Sequence, residues 1–549
     1  MHGCRAAWSR LILQLSVFIL AVLTACQERA ASSGAGAPVR GGTVVVVSAG
    51  DLDHANPLVT ADRYTQEILR YALLLPLLSH DADLQLQPAL AQEWTMEGDS
   101  AVTFRLRRDV FWHDGVRTTA HDVAFTFERA GDARTAFPNG EWIAGWSRPV
   151  VLDSFTIRFA VEGIDPLATI PFLPIAPRHL LDSIPPEGMR QARYNHAPVG
   201  NGPFRFVEYR ANDRWVFEAN PSFPEGLGGP PYLDRFVWRI VPDGIAESTE
   251  LRTGNAHLAV SLRVEQAVEA VRDTDLRLIV RESQQYGFVG WNGRREPMND
   301  ARVRRAFALA LNRERMIDAL RAGHGTPANG PIGRWHWAFD DELPPLPYAP
   351  DSARTLLDAS GLRDRDGDGI RERADGTPLR LSLRVPAGSG YNRDLGELIV
   401  TDLRAVGIAI ELRPTEWSTM ISDVTSSERA FDAVLMGWEA DFRLDLRPLF
   451  HSGQLDGPLQ FSGYANSQVD SLLDAIAQER ERDEARALYR RLQRILRDEQ
   501  PWGFLYFYPD VYVISPGIGG VEMDIRGRLV SLPRWWTAGA AQSADTDAK

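Results

Sequence analysis

Both cysteines of this 549-residue chain, Cys4 and Cys26, fall in its first 26 residues. From Gln27 to Lys549 there is no thiol, hence no disulfide, thiolate metal site or cysteine nucleophile. The fold must therefore be held by buried apolar surface. A chain of this length does that by dividing into two or three domains. Its composition permits this, with 44% hydrophobic and 24% charged residues.

The segment that carries the cysteines has an order of its own. Arg5 and Arg10 precede an apolar run from Leu11 to Leu23, and Leu23-Thr24-Ala25-Cys26 closes it. A charged start, a short apolar core and small residues at the end describe a secretory signal. The run is too short to span a ~30 Å hydrocarbon layer comfortably. Cys26 directly after Leu-Thr-Ala resembles a bacterial lipobox, in which the cysteine is diacylated and becomes the mature N-terminus; the alternative is an ordinary signal with an incidental cysteine. The resemblance implies an extracytoplasmic protein tethered by lipid at Cys26. Two acyl chains anchor stably where one does not. No later stretch is long and apolar enough to cross a bilayer.

The chain carries 60 basic and 73 acidic residues, a net charge of −13. Loss of Arg5 and Arg10 with the leader would make the mature chain more acidic still. This balance excludes a basic nucleic-acid footprint. Lys549 is the only lysine, a bias that a GC-rich genome accounts for.

Residues 27–40 are small, polar and glycine-bearing, and are expected to form a flexible tether. Beyond them strand and helix patterns alternate. Thr43–Val47 is a β-branched run, and Tyr64–Leu78 has helical spacing up to Pro76. Ala101–Arg107 alternates, Asp114-Gly115 marks a turn, and Thr119 with Asp122 signals a helix start. Phe204–Tyr209 and Trp215–Glu218 are expected to pair as strands. Asp300–Arg321 is expected as one amphipathic helix, with Val303, Phe307, Leu311 and Leu320 among its apolar positions. Strands are predicted over Leu379–Val385 and Ile408–Leu412, a helix over Asp394–Val406, one or two helices over Val469–Arg497, and β structure over Phe504–Val513. The class is mixed α/β.

Several segments then become recognisable in order. They are Pro88-Ala89-Leu90-Ala91-Gln92-Glu93-Trp94, Thr103–Arg107, Trp112-His113-Asp114-Gly115 and Thr119–Glu128. Pro198-Val199-Gly200-Asn201-Gly202-Pro203-Phe204, Asp300–Arg313 and Gly437-Trp438-Glu439-Ala440-Asp441-Phe442 follow. Together they resemble the peptide/nickel class (family 5) of extracellular solute-binding proteins, the binding components of ABC importers. The resemblance runs over residues 41–535. It implies a two-lobed periplasmic-binding-protein clamp with mixed β-sheets, discontinuous domains and an extra domain II. Domain I would comprise 41–81, 198–290 and 508–540, domain II 82–197 and domain III 291–507. The leader is 1–25, the tether 26–40 and the tail 541–549.

The resemblance also implies site residues. Asp441 matches the aspartate that receives a peptide's α-ammonium, although Arg443-Leu444-Asp445 departs from the usual ending of that segment and Asp445 is an alternative. Trp438 and Trp417 match tryptophans that line side-chain pockets, and Asn292 sits where a strand presents backbone to the ligand. Indoles suit this role because they offer flat apolar area. His113 and His179 are expected to be structural. No Gly-x-Ser-x-Gly, Walker loop or His-Glu-x-x-His pattern occurs.

Asp364-Arg365-Asp366-Gly367-Asp368-Gly369 places oxygen donors at alternate positions before a glycine, as a calcium loop begins, and Asp375 falls at the twelfth position. Structural calcium on Asp364, Asp366 and Asp368 and a solvated acidic turn both remain open; no other cofactor is expected. The expected function is capture of a peptide by lobe closure and delivery to an ABC permease and ATPase on separate chains. The protein would be a monomer, touching the membrane only through its lipid. The alternatives are another solute on the same fold (nickel chelate, opine, heme or oligosaccharide) or a ligand sensor without transport.

Overall fold

The computed structural model describes residues 38–98, 100–162, 167–440, 442–479 and 481–538. Cys26, the leader, most of the tether, Asp441 and the tail 541–549 lie outside the described residues. The fold is mixed α/β and is organised around one eleven-stranded sheet. Its strands lie in the order 409–415, 380–386, 433–439, 277–291, 502–514, 258–259, 43–48, 235–240, 214–219, 204–210, and Thr326–Pro327 adds to 502–514.

Two long strands, Arg277–Trp291 and Trp502–Ile514, tie the two halves of this sheet together. They pair antiparallel, with Arg277 opposite Ile514 at one end and Gly290 opposite Trp502 at the other. The register shifts between Glu282 and Tyr286. On one side of that irregularity Trp502–Ile514 continues to Leu258–Ala259, which runs parallel to Thr43–Ser48. On the other, Arg277–Trp291 continues to Ala433–Glu439, next to the parallel strands Arg380–Pro386 and Ala409–Thr415. Parallel neighbours need crossover connections, which here contain helices such as Gly390–Arg404. Separate apolar cores pack on the two halves: Val44, Trp215, Phe236 and Trp238 in one, Phe307, Leu383, Leu395 and Ile399 in the other. The result is a two-lobed molecule.

A second body rests on the first lobe. It is a four-stranded antiparallel sheet of Ala91–Glu97, Ala101–Leu106, Thr156–Ala160 and Val150–Asp153. Helix Ala120–Gly131 packs on it, with Phe127 4.6 Å from Phe159 between ring centres. The expected helix start is present: the Asp122 carboxylate accepts the Thr119 N–H at 2.8 Å, satisfying one of the orphan donors of the first turn.

The segment 198–204 fastens this body to the first lobe. A Cβ on Gly200 would overlap the Leu73 carbonyl oxygen, and one on Gly202 would lie 2.6 Å from that of Ala72, so only glycine allows the approach. Asn201 accepts the Leu75 N–H at 2.9 Å. His113 bridges the two glycines, accepting the Gly200 N–H at Nδ1 (3.2 Å) and facing the Gly202 carbonyl with Nε2 at 3.0 Å. Burial holds its pKa down at about 4, so the ring is neutral.

One predicted element is corrected. The single helix expected over Asp300–Arg321 is two, Ala301–Ala310 and Arg313–Arg321. Asn312 interrupts it: its side chain caps the second helix by accepting the Arg315 N–H at 3.0 Å, and its own N–H donates to Asp402 at 2.9 Å. The 469–497 region is also two helices, Ser467–Gln478 and Arg482–Glu499.

Candidate functional site

A cavity of about 900 Å³ lies where the lobes and the second body meet. Its walls come from stretches far apart in sequence: 61–70, 139–144 with Phe172, 284–286, 438–440, 442–449, and Ile525 with Arg526. Each is presented by a definite local structure. Asp62 caps the helix Arg63–Ile68 by accepting the Thr65 N–H at 2.7 Å, which turns Arg63, Gln66 and Glu67 toward the cavity. A short 3₁₀ turn, Gly140–Ile143, brings Glu141 and Trp142. The irregularity in Arg277–Trp291 supplies Gln284, Gln285 and Tyr286, and the end of Ala433–Glu439 supplies Trp438 and Glu439.

Most charges in the walls are already matched. Glu67 is 3% exposed; it lies 3.1 Å from Arg528 and accepts the Arg528 N–H at 2.8 Å. Arg63 meets Asp510 at 3.3 Å, and Arg526 meets Asp524 at 2.5 Å. Asp445 lies 2.8 Å from Arg447; burial pushes its carboxyl up, but the Arg447 contacts outweigh this and hold it below the usual range. Arg443 donates to the Glu141 carbonyl at 2.7 Å and to Thr169 Oγ1 at 3.1 Å, linking the segment after Ala433–Glu439 to the second body. Next to this link, Phe442 packs 4.7 Å from Phe172 between ring centres.

Two groups lack an opposite charge among the described residues. Glu439 accepts only an amide hydrogen bond, from Gln285 Nε2 at 3.1 Å. Arg70 has no carboxylate partner and lies 4.4 Å over the Phe172 ring, with its Nε buried and unpaired. The cavity thus offers one unmatched anion and one unmatched cation on aromatic walls, an arrangement suited to a zwitterion.

The predicted site residues separate in this structure. Trp438 lines the cavity, half-buried. Trp417 is 51% exposed at the start of helix Trp417–Thr425 and is not part of the walls. Asn292 is 1% exposed and bonds to the carbonyls of Arg429 and Phe431 at 2.9 Å each, so its side chain fixes a loop behind the sheet. Asp445 lines the cavity but faces Arg447. Sequence reasoning missed Arg70, Glu439, Gln285, Tyr286 and Arg443. A lone cation inside the apolar run Ile68–Leu78 was the available signal for Arg70.

In the acidic loop, Asp364, Asp366, Asp368 and Glu372 each place an oxygen within 4.8 Å of the others. Glu372 takes the place expected of Asp375, because Arg363 and Glu372 bridge and fold the loop back sooner. Asp375 instead accepts the Thr377 N–H at 2.9 Å. The first three carboxylates accept N–H groups of the loop itself, Asp364 from Gly367 (2.7 Å) and Gly369 (3.0 Å), Asp366 from Asp368 (3.0 Å) and Asp368 from Ile370 (2.7 Å).

Residues 85–452 match the family model described as bacterial extracellular solute-binding proteins, family 5 Middle. The chain belongs to that family. It is 27% identical to the oligopeptide-binding protein AppA of Bacillus subtilis, covering 96% of this chain and 98% of that one. It is 26% identical to heme-binding protein A of Haemophilus influenzae, over 80% of this chain and 84% of that relative. The structure of the Bacillus AppA in complex with a nonapeptide superposes with a TM-score of 0.71 at 24% identity, covering 91% of this chain and 99% of that one. Members of this family bind solutes. No helix among the described residues is long and apolar enough to cross a membrane.

Proposed function

We propose that this protein captures a peptide between its lobes outside the cytoplasm, held to a membrane by lipid on Cys26, and hands it to an ABC permease. It acts as a monomer and performs no chemistry. The observation that carries the peptide reading is the pair of unmatched charges, Glu439 and Arg70, on the walls of one cavity of about 900 Å³. A peptide with free termini carries an ammonium and a carboxylate that complete both. Charges left without a protein partner favour ligands that pair them over those that do not. Asp441, adjacent in sequence to this wall, shares the ammonium with Glu439 in this reading. The oligopeptide-binding relative supports the same cargo.

Calorimetry with two- to nine-residue peptides tests it: saturable binding is expected, and silence across that range would remove peptides as the cargo. The anchor is tested by Cys26→Ser, which should release the protein from the membrane fraction and abolish labelling by a palmitate analogue. A heme-binding relative keeps a second reading in view, and the aromatic walls of Trp142, Phe172, Trp438 and Phe442 would suit a porphyrin. The described walls hold no His, Met or Cys to ligate iron, and Tyr286, whose buried hydroxyl lacks a partner, is the one iron-ligating type there; the unmatched charges favour the peptide. A shifted Soret band on heme titration would reverse that preference.

A further inference from the structure

Arg70 lies where two cavities meet. Besides the main cavity it lines an adjoining one of about 270 Å³, and Phe172 and Arg526 are common to both. The smaller cavity is walled chiefly by apolar side chains, among them Leu75, Pro76, Ala89, Pro203, Phe223 and Leu227. Its two arginines differ. Arg526 is spent on Asp524 at 2.5 Å and on the His80 carbonyl at 2.6 Å. Arg70 is held in place by rings, 4.4 Å from the centre of Phe172 and 5.5 Å from that of Tyr71. The one carboxylate near it in sequence, Glu67, is occupied by Arg528. The remaining polar side chain of note in the smaller cavity, His80, is kept neutral at pH 7: burial first, then Arg70 and Arg526, hold its pKa at about 4. A fixed, planar guanidinium with unspent donors matches a carboxylate in both charge and geometry.

We propose that Arg70 receives the terminal carboxylate of the bound ligand and that the adjoining apolar pocket takes the side chain next to that carboxylate. This rests on the peptide reading and extends it to direction and specificity. The peptide lies with its amino end toward Glu439 and its carboxyl end against the helix Arg63–Ile68 and the turn that follows, and peptides ending in a large apolar residue are preferred. Arg70 is also poised to act on the aromatic wall alone, by stacking on Phe172, and the test separates the two roles.

The experiment compares one peptide as free acid and as C-terminal amide, by calorimetry, on the unaltered protein and on Arg70→Gln. Loss of a charge-assisted bond predicts a 10- to 100-fold weaker amide on the unaltered protein. Arg70→Gln should bind both forms equally, near the level of the amide, and Arg70→Lys should restore part of the preference for the acid. Equal binding of acid and amide by the unaltered protein overturns the assignment while leaving the peptide reading intact. So does an equal loss for both forms in Arg70→Gln, which would mark Arg70 as a support for Phe172. Absence of binding by either form to the unaltered protein overturns the peptide reading and this assignment together. For the pocket, peptides ending in Leu should bind at least 10-fold more tightly than the same peptides ending in Asp, and no difference would overturn that half. The acid–amide comparison needs no variant, so a folding defect in Arg70→Gln leaves it decisive.

Discussion

Arg443 joins the segment after Ala433–Glu439 to the second body, and the cost of losing the two bonds that do so can be worked from their geometry. Its guanidinium donates to the Glu141 carbonyl at 2.7 Å and to Thr169 Oγ1 at 3.1 Å, both on the second body. Hydrogen bonds from a charged donor are worth ~1.5–3 kcal/mol when shielded. The Glu141 bond is solvent-exposed, which discounts it to about 0.5–1 kcal/mol; the part-buried Thr169 bond retains about 1 kcal/mol. Losing the link therefore raises the free energy of the closed state by about 1.5–2 kcal/mol. Where binding requires closure, apparent affinity falls by the same factor, about 10- to 30-fold. Thr169 allows this to be separated from direct ligand contact, because it is outside the cavity walls and its hydroxyl donates to the Trp142 carbonyl at 2.8 Å. Thr169→Val should reproduce part of the loss, Thr169→Ser should not, and the double variant with Arg443→Gln should lose less than the sum. Stopped-flow fluorescence should assign most of the effect to faster dissociation. A full loss in Arg443→Gln with none in Thr169→Val would refute the link and make Arg443 a ligand contact. No loss in either would show that the bridge contributes nothing to closure.

Other residues give independent tests. Burial pushes the Glu247 carboxyl up to about 7, with Ser261 as its hydrogen-bond partner. Its protonated form is favoured in the fold, so its contribution is full below the ordinary carboxyl value near 4.5 and is lost as pH rises through 7. Glu247→Gln should raise Tm at pH 8 more than at pH 5, and an equal change at both would contradict the shift. His113 behaves oppositely: held neutral with a pKa of about 4, its contribution is full above pH 6.5 and is lost as pH falls through 4. His113→Gln should therefore flatten the decline of Tm between pH 6.5 and 4.5, whereas an unchanged slope would place that decline elsewhere. Gly200→Ala should destabilise by about 1–3 kcal/mol or more through overlap with the Leu73 carbonyl, measured by denaturant midpoint; a neutral result would mean the 198–204 clasp yields freely. Asp441→Asn should weaken peptide binding by about one to two decades by calorimetry with Tm unchanged, and unchanged affinity would remove Asp441 from the site.

The elements that were legible in the sequence are those whose cause is local. Thr119 and Asp122 announce a helix start because both partners of the cap lie within one turn, and Phe204–Tyr209 announces a strand because alternate side chains meet opposite environments. Asn312 was not legible as a break. A polar residue within an amphipathic run resembles one on the solvent face, and its capping role depends partly on Asp402, 90 positions later in the chain. The acidic loop shows the same limit: spacing pointed to Asp375, but the Arg363–Glu372 bridge shortens the loop and brings Glu372 instead. The cavity was legible only where a recognisable segment ran through it, at Trp438 and at Asp445. Arg70 and Glu439 acquire meaning from their missing counter-charges, which requires knowing that Glu67 is taken by Arg528 and that Glu439 meets only Gln285.

The central claim is that the cavity between the lobes holds a peptide. Native mass spectrometry of the protein purified from its own host tests this most directly, since a closed clamp retains what it has captured. The account predicts a family of bound masses that fragment as peptides with free amino and carboxyl ends and with large apolar residues at the carboxyl end. A single non-peptide mass or a metal complex, or an empty protein whose melting temperature ignores a peptide library, would contradict it.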